Sequence, residues 1–206
     1  QRNSLGGHAM SAEQPPLDIV APSEIARLVE NVGVTKVHLG AVATVTLGIL
    51  AGAFIAFGAM FHTVVVTGSE LGYGPTMLLG GLAFSLGLLL VIIGGAELFT
   101  GNNLLVMAYV AGRISLGRLL ANFAIVYLAN FVGATGLAGI VALAGHAQLG
   151  GGSVGRTAVA LATAKVALPL AEAFFRGVLC NVLVCMAVWM AMAGRSVMDK
   201  VIAIVF

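Results

Sequence analysis

The residues best suited to binding a ligand lie at positions 97–103, where polar side chains interrupt a long apolar stretch. Irregular backbone inside a membrane is tolerated only where protein or water satisfies its N–H and C=O groups. A half-helix beginning near Gly101 and Asn102 would point unpaired N–H groups, and the positive end of its dipole, toward the membrane interior. The Thr100 hydroxyl would add a donor. These features favour an anion site in a pore over the alternative, a kinked helix whose new amino terminus is capped by Glu97.

Four more polar residues fall on a single predicted helix at 159–192. Glu172 and Arg176 have the spacing and order of an ion pair along one helix face, so we interpret them as structural. Lys165 has no partner at that spacing, and it would either extend its charge to the membrane surface or offer that charge to an entering anion. Asn181 would lie about 24 Å further along a straight helix. A buried asparagine needs hydrogen-bond partners, so Asn181 should line water or bind another helix.

The sequence gives no basis for catalysis. Segments of the glycine-rich stretch at 150–155 match a serine-hydrolase elbow and a dinucleotide-binding fingerprint, but both motifs require a preceding strand, and none is predicted. Ser85 and Ser196 have no histidine at a matching depth. We therefore expect no catalytic residue, no metal site and no cofactor, and we do not expect an enzyme.

The composition indicates a membrane protein. Of the 206 residues, 60% are hydrophobic and 9% are charged, whereas soluble domains carry about 25% charged residues. So few charges could not cover a water-facing surface, and the lipid bilayer is the solvent that suits the chain. The net charge of +2 and the lack of a basic run also exclude a nucleic-acid partner.

The gaps between charged residues locate the helices, because a membrane span needs about 20 apolar residues. We predict an amphipathic helix at 22–36, spans at 37–64 and 116–144, and a second span that ends near residue 95 and is completed by residues 104–111. A flexible loop at 145–155 should precede the helix at 159–192. Residues 198–206 look like the first half of a fifth span. Gly48 and Gly52 predict a close helix contact, either within the chain or between copies.

The distribution of basic residues predicts the orientation. If the spans alternate, most basic residues near the helix ends fall on one side (Lys36, Arg113, Arg118, Arg195 and Lys200). The positive-inside rule then makes the amino terminus cytoplasmic. The chain divides into a polar tail at 1–21, part of which resembles a vector-derived sequence, a cytoplasmic amphipathic helix at 22–36, and a membrane domain at 37–206.

Two long segments resemble the signatures of the formate/nitrite transporter family. The first is Ile-Ile-Gly-Gly-Ala-Glu-Leu-Phe-Thr-Gly at 92–101. The second is Gly-Val-Leu-Cys-Asn-Val-Leu-Val-Cys-Met-Ala at 177–187, in which Met186 departs mildly from the pattern. Residues 189–200 are similar to the formate-channel branch. The resemblance covers residues 37–206, and two long motifs in the right order make it specific.

The resemblance implies an all-α membrane protein with an aquaporin-like bundle of six spans in an inverted repeat, with interrupted second and fifth helices. On this comparison the chain ends within the fifth helix, so the membrane domain is expected to be incomplete. The family's central histidine would lie beyond Phe206, and the histidines of this chain lie elsewhere (His8, His38, His62 and His146). A homopentamer with one pore in each protomer is also implied.

The resemblance further assigns roles to individual residues. Phe84, Leu88 and Leu98 would form hydrophobic constrictions, Thr100 would bind an anion between them, and Lys165 would attract that anion. The predicted anion-binding or pore-lining residues are Leu98, Phe99, Thr100, Gly101, Asn102, Lys165 and Asn181, of which Asn181 would face the pore.

The predicted function is a passive, pH-gated channel for small monovalent anions in the inner membrane, with formate as the leading substrate. Nitrite and hydrosulfide remain alternatives, because charge and size barely separate these ions. From a different class, a facilitator for neutral small solutes would use the same broken helix for hydrogen bonding. The expected partners are the anion, further copies of the chain and the bilayer.

Overall fold

The computed structural model describes residues 20–205, and within that range all regular structure is helical. The elements are α1 (Pro22–Val37), α2 (Ala41–Val66), α3 (Tyr73–Gly94), α4 (Phe99–Asn102), α5 (Leu105–Val110), α6 (Leu116–Leu143), a 3₁₀ turn (His146–Gln148), α7 (Ser153–Val166), α8 (Leu170–Ala193) and α9 (Val197–Val205). The predicted polar tail lies outside the described residues except at positions 20 and 21, and Phe206 also lies outside them.

Four helices, α2, α3, α6 and α8, are long and apolar enough to cross a membrane. The prediction of an all-α membrane protein is therefore confirmed. The third span matches its prediction to within one residue, at Leu116–Leu143. The first span begins later than predicted, at Ala41, because the amphipathic helix continues to Val37 and a short turn separates the two helices.

The predicted long helix at 159–192 is wrong, because the structure has two helices there. α7 ends at Val166 and α8 begins at Leu170. Pro169 explains the break, since it has no N–H to donate into a preceding turn and it disfavours helical backbone at Leu168. Lys165 and Asn181 therefore lie on separate helices, and their predicted separation along one axis does not apply.

The predicted flexible loop at 145–155 is also wrong in part. Gly150, Gly151 and Gly152 adopt left-handed backbone, with φ of 59°, 63° and 81°, and the helix α7 starts directly afterwards at Ser153. Gly155 therefore lies inside a helix. A Cβ at Gly155 would come within 2.8 Å of the Ala147 carbonyl oxygen, so the end of the loop is packed.

Glycines bring α2 and α6 into backbone contact. A Cβ at Gly52 would lie 2.0 Å from the Asn130 carbonyl oxygen, and a Cβ at Gly133 would lie 1.9 Å from the Ile49 carbonyl oxygen. A Cβ at Gly48 would meet the side chain of α6 residue Ala129 at 2.6 Å. The contact predicted from Gly48 and Gly52 is confirmed, and it is made within the chain. Side chains are excluded there, so the two helices approach as closely as backbones allow.

The amphipathic helix α1 packs beside the second half of the broken span. Its buried face includes Ile25, Val29 and Gly33, and a Cβ at Gly33 would lie 3.1 Å from the Cβ of α5 residue Ala108. Arg113, just after α5, pairs with Glu30 at 3.5 Å. A contact between Arg118 and His38 joins the start of α6 to the end of α1, so these basic residues gather at one end of the bundle.

Candidate functional site

The second span is interrupted between α3 and α4. Gly95 ends α3 in a left-handed conformation, with φ of 69°, and Leu98 is extended, with φ of −104° and ψ of 127°. Helical backbone resumes at Phe99, two residues before the predicted position. A turn at Asn103 and Leu104 then separates α4 from α5. The predicted interruption is therefore present, but the returning half-helix is divided into two short pieces.

This division weakens the predicted helix-dipole site. α4 has four residues, so few peptide dipoles align along its axis. The N–H of Phe99, the first residue of α4, donates to Asn130 Oδ1 at 2.8 Å and is not free. Any attraction of the break for an anion must therefore depend on individual donors rather than on a long helix dipole.

Asn130, near the middle of the 28-residue α6, braces the break. Its amide nitrogen donates to the carbonyl oxygens of Gly48 and Glu97, each at 2.8 Å. Its amide oxygen accepts the Phe99 N–H. One side chain thus satisfies backbone groups on both sides of Leu98 and also joins the break to α2. Irregular backbone at membrane depth requires such partners.

Glu97 is 3% exposed and does not cap α4. Its carboxylate accepts a hydrogen bond at 2.9 Å from Nζ of Lys36, which lies in the last turn of α1. It also accepts from the Asn102 amide nitrogen at 2.8 Å. Asn102, in turn, accepts from Lys36 Nζ at 2.8 Å and donates to Asn122 Oδ1 at 3.0 Å. We call these four residues the Lys36–Glu97 network; every member is paired, as buried polar groups require.

A cavity of about 380 Å³ lies beside this network. Polar groups of Lys36, Glu97 and Lys200 line it, together with apolar side chains from α1, α3 and α8. Leu88 and Leu98, two of the predicted constriction residues, line the same cavity and pack in one buried cluster. We call this space the inner cavity.

The third predicted constriction residue lies elsewhere. Phe84 is 39% exposed and meets His62 of α2 edge-on, with ring centroids 6.5 Å apart. It is absent from the buried cluster that contains Leu88 and Leu98. The described residues therefore bring together two of the three predicted constriction residues.

Three residues at the break face the neighbouring spans. Phe99 packs edge-on against Phe123 and Tyr127 of α6, with centroids 5.6 and 5.4 Å away. The Thr100 carbonyl oxygen accepts from Cys185 Sγ of α8 at 3.4 Å. Gly101 lines the inner cavity. The backbone of Thr100 thus contacts α8, while the Phe99 ring is directed at α6; Thr100 lines neither of the two cavities, and its role in binding an anion stays a prediction.

Asn181 reaches the break from α8. Its amide oxygen accepts from Asn103, and its amide nitrogen donates to the Gly177 carbonyl oxygen at 2.8 Å. Asn103, Asn181 and Cys185 line a second, open cavity between α6 and α8. Of the two uses predicted for Asn181, the structure shows the bond to another helix, and Asn181 also borders open space.

Lys165 is not brought to the break. It lies exposed in the last turn of α7 and lines neither of these two cavities. Its predicted role as an anion attractor stays a prediction. Glu172 and Arg176, by contrast, form the predicted ion pair on α8.

Three residues at the break were not predicted as functional from the sequence: Lys36, Asn122 and Asn130. A signal for the two asparagines was present, since both interrupt the apolar α6 and a buried asparagine needs partners. Lys36 was visible only as a charge at the end of an amphipathic helix. Its partner Asn102 is 66 residues away in the chain, and no local pattern predicts that pairing.

The fold and the braced break define a class: a multi-pass α-helical membrane protein with an interrupted span whose backbone is satisfied by neighbouring spans. A family model described as "Formate/nitrite transporter" matches residues 23–206. The chain belongs to the formate/nitrite transporter family, as its two signature segments predicted.

Named relatives and solved structures agree with this assignment. The chain is 40% identical to formate channel FocA of Haemophilus influenzae over 194 residues, which cover 93% of the chain and 68% of that protein. It is 39% identical to FocA of Escherichia coli K12 over 186 residues, which cover 90% of the chain and 65% of that protein. The chain thus spans about two thirds of the length of these relatives.

The fold is similar to that of two solved channels. One, described as a pentameric formate channel with formate bound, has a TM-score of 0.73 and 39% identity, and the match covers 81% of this chain and 66% of that one. The other, described as an FNT family ion channel, has a TM-score of 0.79 and 30% identity, with coverage of 89% and 73%. At these identities the membrane fold predicted from the resemblance is confirmed.

Proposed function

We propose that the protein is a passive membrane channel for small monovalent anions, with formate as its principal substrate, and that it is not an enzyme. The observation that carries the proposal is the similarity, at about 40% identity, to proteins named as formate channels, one of which has formate bound in its structure. The similarity extends through the interrupted span, where selectivity would reside.

The geometry of the break supports this proposal. Leu88 and Leu98 make one end of the inner cavity apolar, which disfavours passage of hydrated cations. Thr100 follows Leu98 at the turn into α4, and its half-buried side chain carries a hydroxyl that can donate to an anion. An anion that has lost part of its water shell would replace its hydrogen bonds to water with hydrogen bonds from protein donors such as the Thr100 hydroxyl.

The predicted site residues divide into two groups under this proposal. Leu88, Leu98, Thr100 and Gly101 belong to the path, and Asn181 borders it from α8. Phe99 and Asn102 make their contacts within the protein, so we assign them to supporting the break. We further propose that Phe84 and Lys165 act toward the outer side, separate from the inner cavity.

We also propose the organisation of the protein in the cell. The channel would be a homopentamer in the inner membrane, with its amino terminus and α1 on the cytoplasmic side. The basic residues gathered near α1 and the start of α6 support that orientation through the positive-inside rule. The membrane domain would begin after α1, and the cavity between α6 and α8 would adjoin a neighbouring copy.

Flux through the whole gene product, purified and reconstituted in liposomes, tests the function. We expect formate to move down its gradient without an energy source, with a rate that depends on pH. Nitrite and hydrosulfide measured in parallel establish the order of selectivity. Uptake of urea or glycerol with no flux of formate or nitrite would instead establish a facilitator for neutral solutes and refute the anion channel.

Two substitutions test the proposed path. Thr100→Ala should lower anion flux, because it removes the hydroxyl donor from a half-buried side chain, while Thr100→Ser keeps the hydroxyl and should retain flux. Lys165→Ala should lower flux by removing an attracting charge, while Lys165→Arg should retain it. Size-exclusion chromatography should show unchanged assembly in all four variants. Unchanged flux in both alanine variants would refute the site assignment.

A further inference from the structure

A buried carboxylate stands beside the inner cavity. Glu97 is 3% exposed and lines that cavity together with Leu98, a residue of the proposed path. An isolated carboxylate so deeply buried is strongly disfavoured unless it is paired. A negative charge at this position would also repel any anion that approaches the break. The fold therefore needs a positive charge at Glu97 for two separate reasons.

Lys36 supplies that charge. Its ammonium donates to Glu97 at 2.9 Å and to Asn102 at 2.8 Å, and its side chain is 23% exposed. Two of its three N–H bonds are thus directed at the carboxylate and the amide that holds the carboxylate. A lysine arranged in this way is a poor binding partner for a passing ion, but it cancels the charge of Glu97 at close range.

We propose that Lys36 is a positioning and specificity residue that acts through Glu97: it neutralises that carboxylate in the wall of the inner cavity, which Lys200 also lines, and it fixes Glu97, and with it Leu98, in place. The inference rests on the proposed anion channel. It differs from the simpler idea that Lys36 attracts the anion directly. In our proposal the net charge of the pair of Lys36 and Glu97 determines formate flux. Removing only the positive charge should therefore lower the flux, and removing both charges should restore it.

The test is a double-mutant cycle in formate flux with the reconstituted whole gene product. Lys36→Met should lower flux about tenfold, because it leaves an uncompensated negative charge in the wall of the inner cavity that repels the permeating anion. Adding Glu97→Gln to Lys36→Met should restore most of the flux, because the amide is neutral and can still accept from Asn102. Glu97→Gln alone should change flux less than Lys36→Met does.

A more exposed ion pair, between Glu30 of α1 and Arg113 after α5, is the matched control. Arg113 pairs with Glu30 at 3.5 Å, with side chains 38% and 27% exposed. Arg113→Met should therefore leave formate flux and thermal stability nearly unchanged, whereas Lys36→Met should lower both, and the double variant should recover both.

Three outcomes would overturn the inference. If Lys36→Met equals the unmodified protein in flux, the charge at Glu97 does not reach the path. If Lys36→Met with Glu97→Gln remains as slow as Lys36→Met alone, Lys36 acts on the anion directly. If the unmodified protein conducts no anion, the proposed function fails and the inference fails with it.

Discussion

Replacing Asn130 by leucine should destabilise the protein more than any other single polar-to-apolar change in α6. Leucine is close to asparagine in size, so the substitution removes hydrogen bonds without creating a large cavity. Three backbone groups lose their partner: the carbonyl oxygens of Gly48 and Glu97 and the N–H of Phe99. The Glu97 carbonyl oxygen and the Phe99 N–H lie at the break, where no regular helix can satisfy them, whereas the Gly48 carbonyl oxygen lies within the helix α2.

The expected cost follows from counting these groups. A hydrogen bond between membrane helices contributes about 0.6 kcal/mol on average and up to about 1.7 kcal/mol, and leaving a buried group unsatisfied costs about 1–3 kcal/mol. The two groups left unsatisfied at the break, at about 1 kcal/mol each, and the lost bond to Gly48, at about 0.6 kcal/mol, lower the free energy of unfolding by about 2.6 kcal/mol. Flux should fall as well, because Leu98 and Phe99 lose the bonds that fix the backbone around them.

Unfolding by sodium dodecyl sulfate in mixed micelles, followed by circular dichroism, measures this loss. Asn122→Leu is the control on the same helix, since Asn122 accepts a single bond, from Asn102 at 3.0 Å. It should cost about a third as much, about 1 kcal/mol. A loss for Asn130→Leu no greater than that for Asn122→Leu would refute the idea that Asn130 holds the break together.

Three further predictions concern other parts of the structure. Gly133→Ala should lower the free energy of unfolding by about 3 kcal/mol or prevent assembly, because its Cβ would lie 1.9 Å from a backbone oxygen of α2. Gly136→Ala should be tolerated, because nothing lies within 4 Å of a Cβ at that position. Equal stability of the two variants in thermal unfolding would contradict the packing argument. Leu98→Ala should widen the proposed constriction beside Leu88 and raise the flux of larger anions such as acetate relative to formate; an unchanged ratio would place the constriction elsewhere. Ser196→Ala removes the hydroxyl that accepts a first-turn N–H of α9 at 3.1 Å and should cost about 1 kcal/mol in unfolding experiments, whereas Ser196→Thr should not.

The long helices were predictable because lipid imposes a simple rule on sequence. A span must be apolar over a minimum length, so the charge-free stretches predicted α6 and the end of α3 to within one residue. The same rule failed at Pro169. The sequence stays apolar across the α7–α8 junction, so hydropathy alone does not reveal a break there. Only Pro169, which lacks an N–H, indicates that the helix cannot continue.

The polar contacts of the break were only partly predictable. The sequence placed the interruption correctly, because Glu97 and Asn102 are conspicuous in an apolar segment. It could not show that Glu97 pairs with Lys36 rather than capping α4, since the partner comes from a helix far away in the chain. Nor could it show that α4 ends after four residues at the turn of Asn103 and Leu104, or that Asn130 accepts the Phe99 N–H. Local patterns give the positions of polar groups, whereas tertiary packing determines their partners.

The glycine contacts between α2 and α6 limit how this protein can move. Backbone touches backbone at Gly52 and Gly133, so neither helix can slide or rotate against the other without a steric clash. The side chain of Asn130 then fastens the break to that same pair of helices. The interrupted segment thus belongs to the static frame of the molecule. We expect any opening and closing of the proposed channel to arise in the elements docked around this frame, such as α1 and α9, and not in the interrupted segment itself.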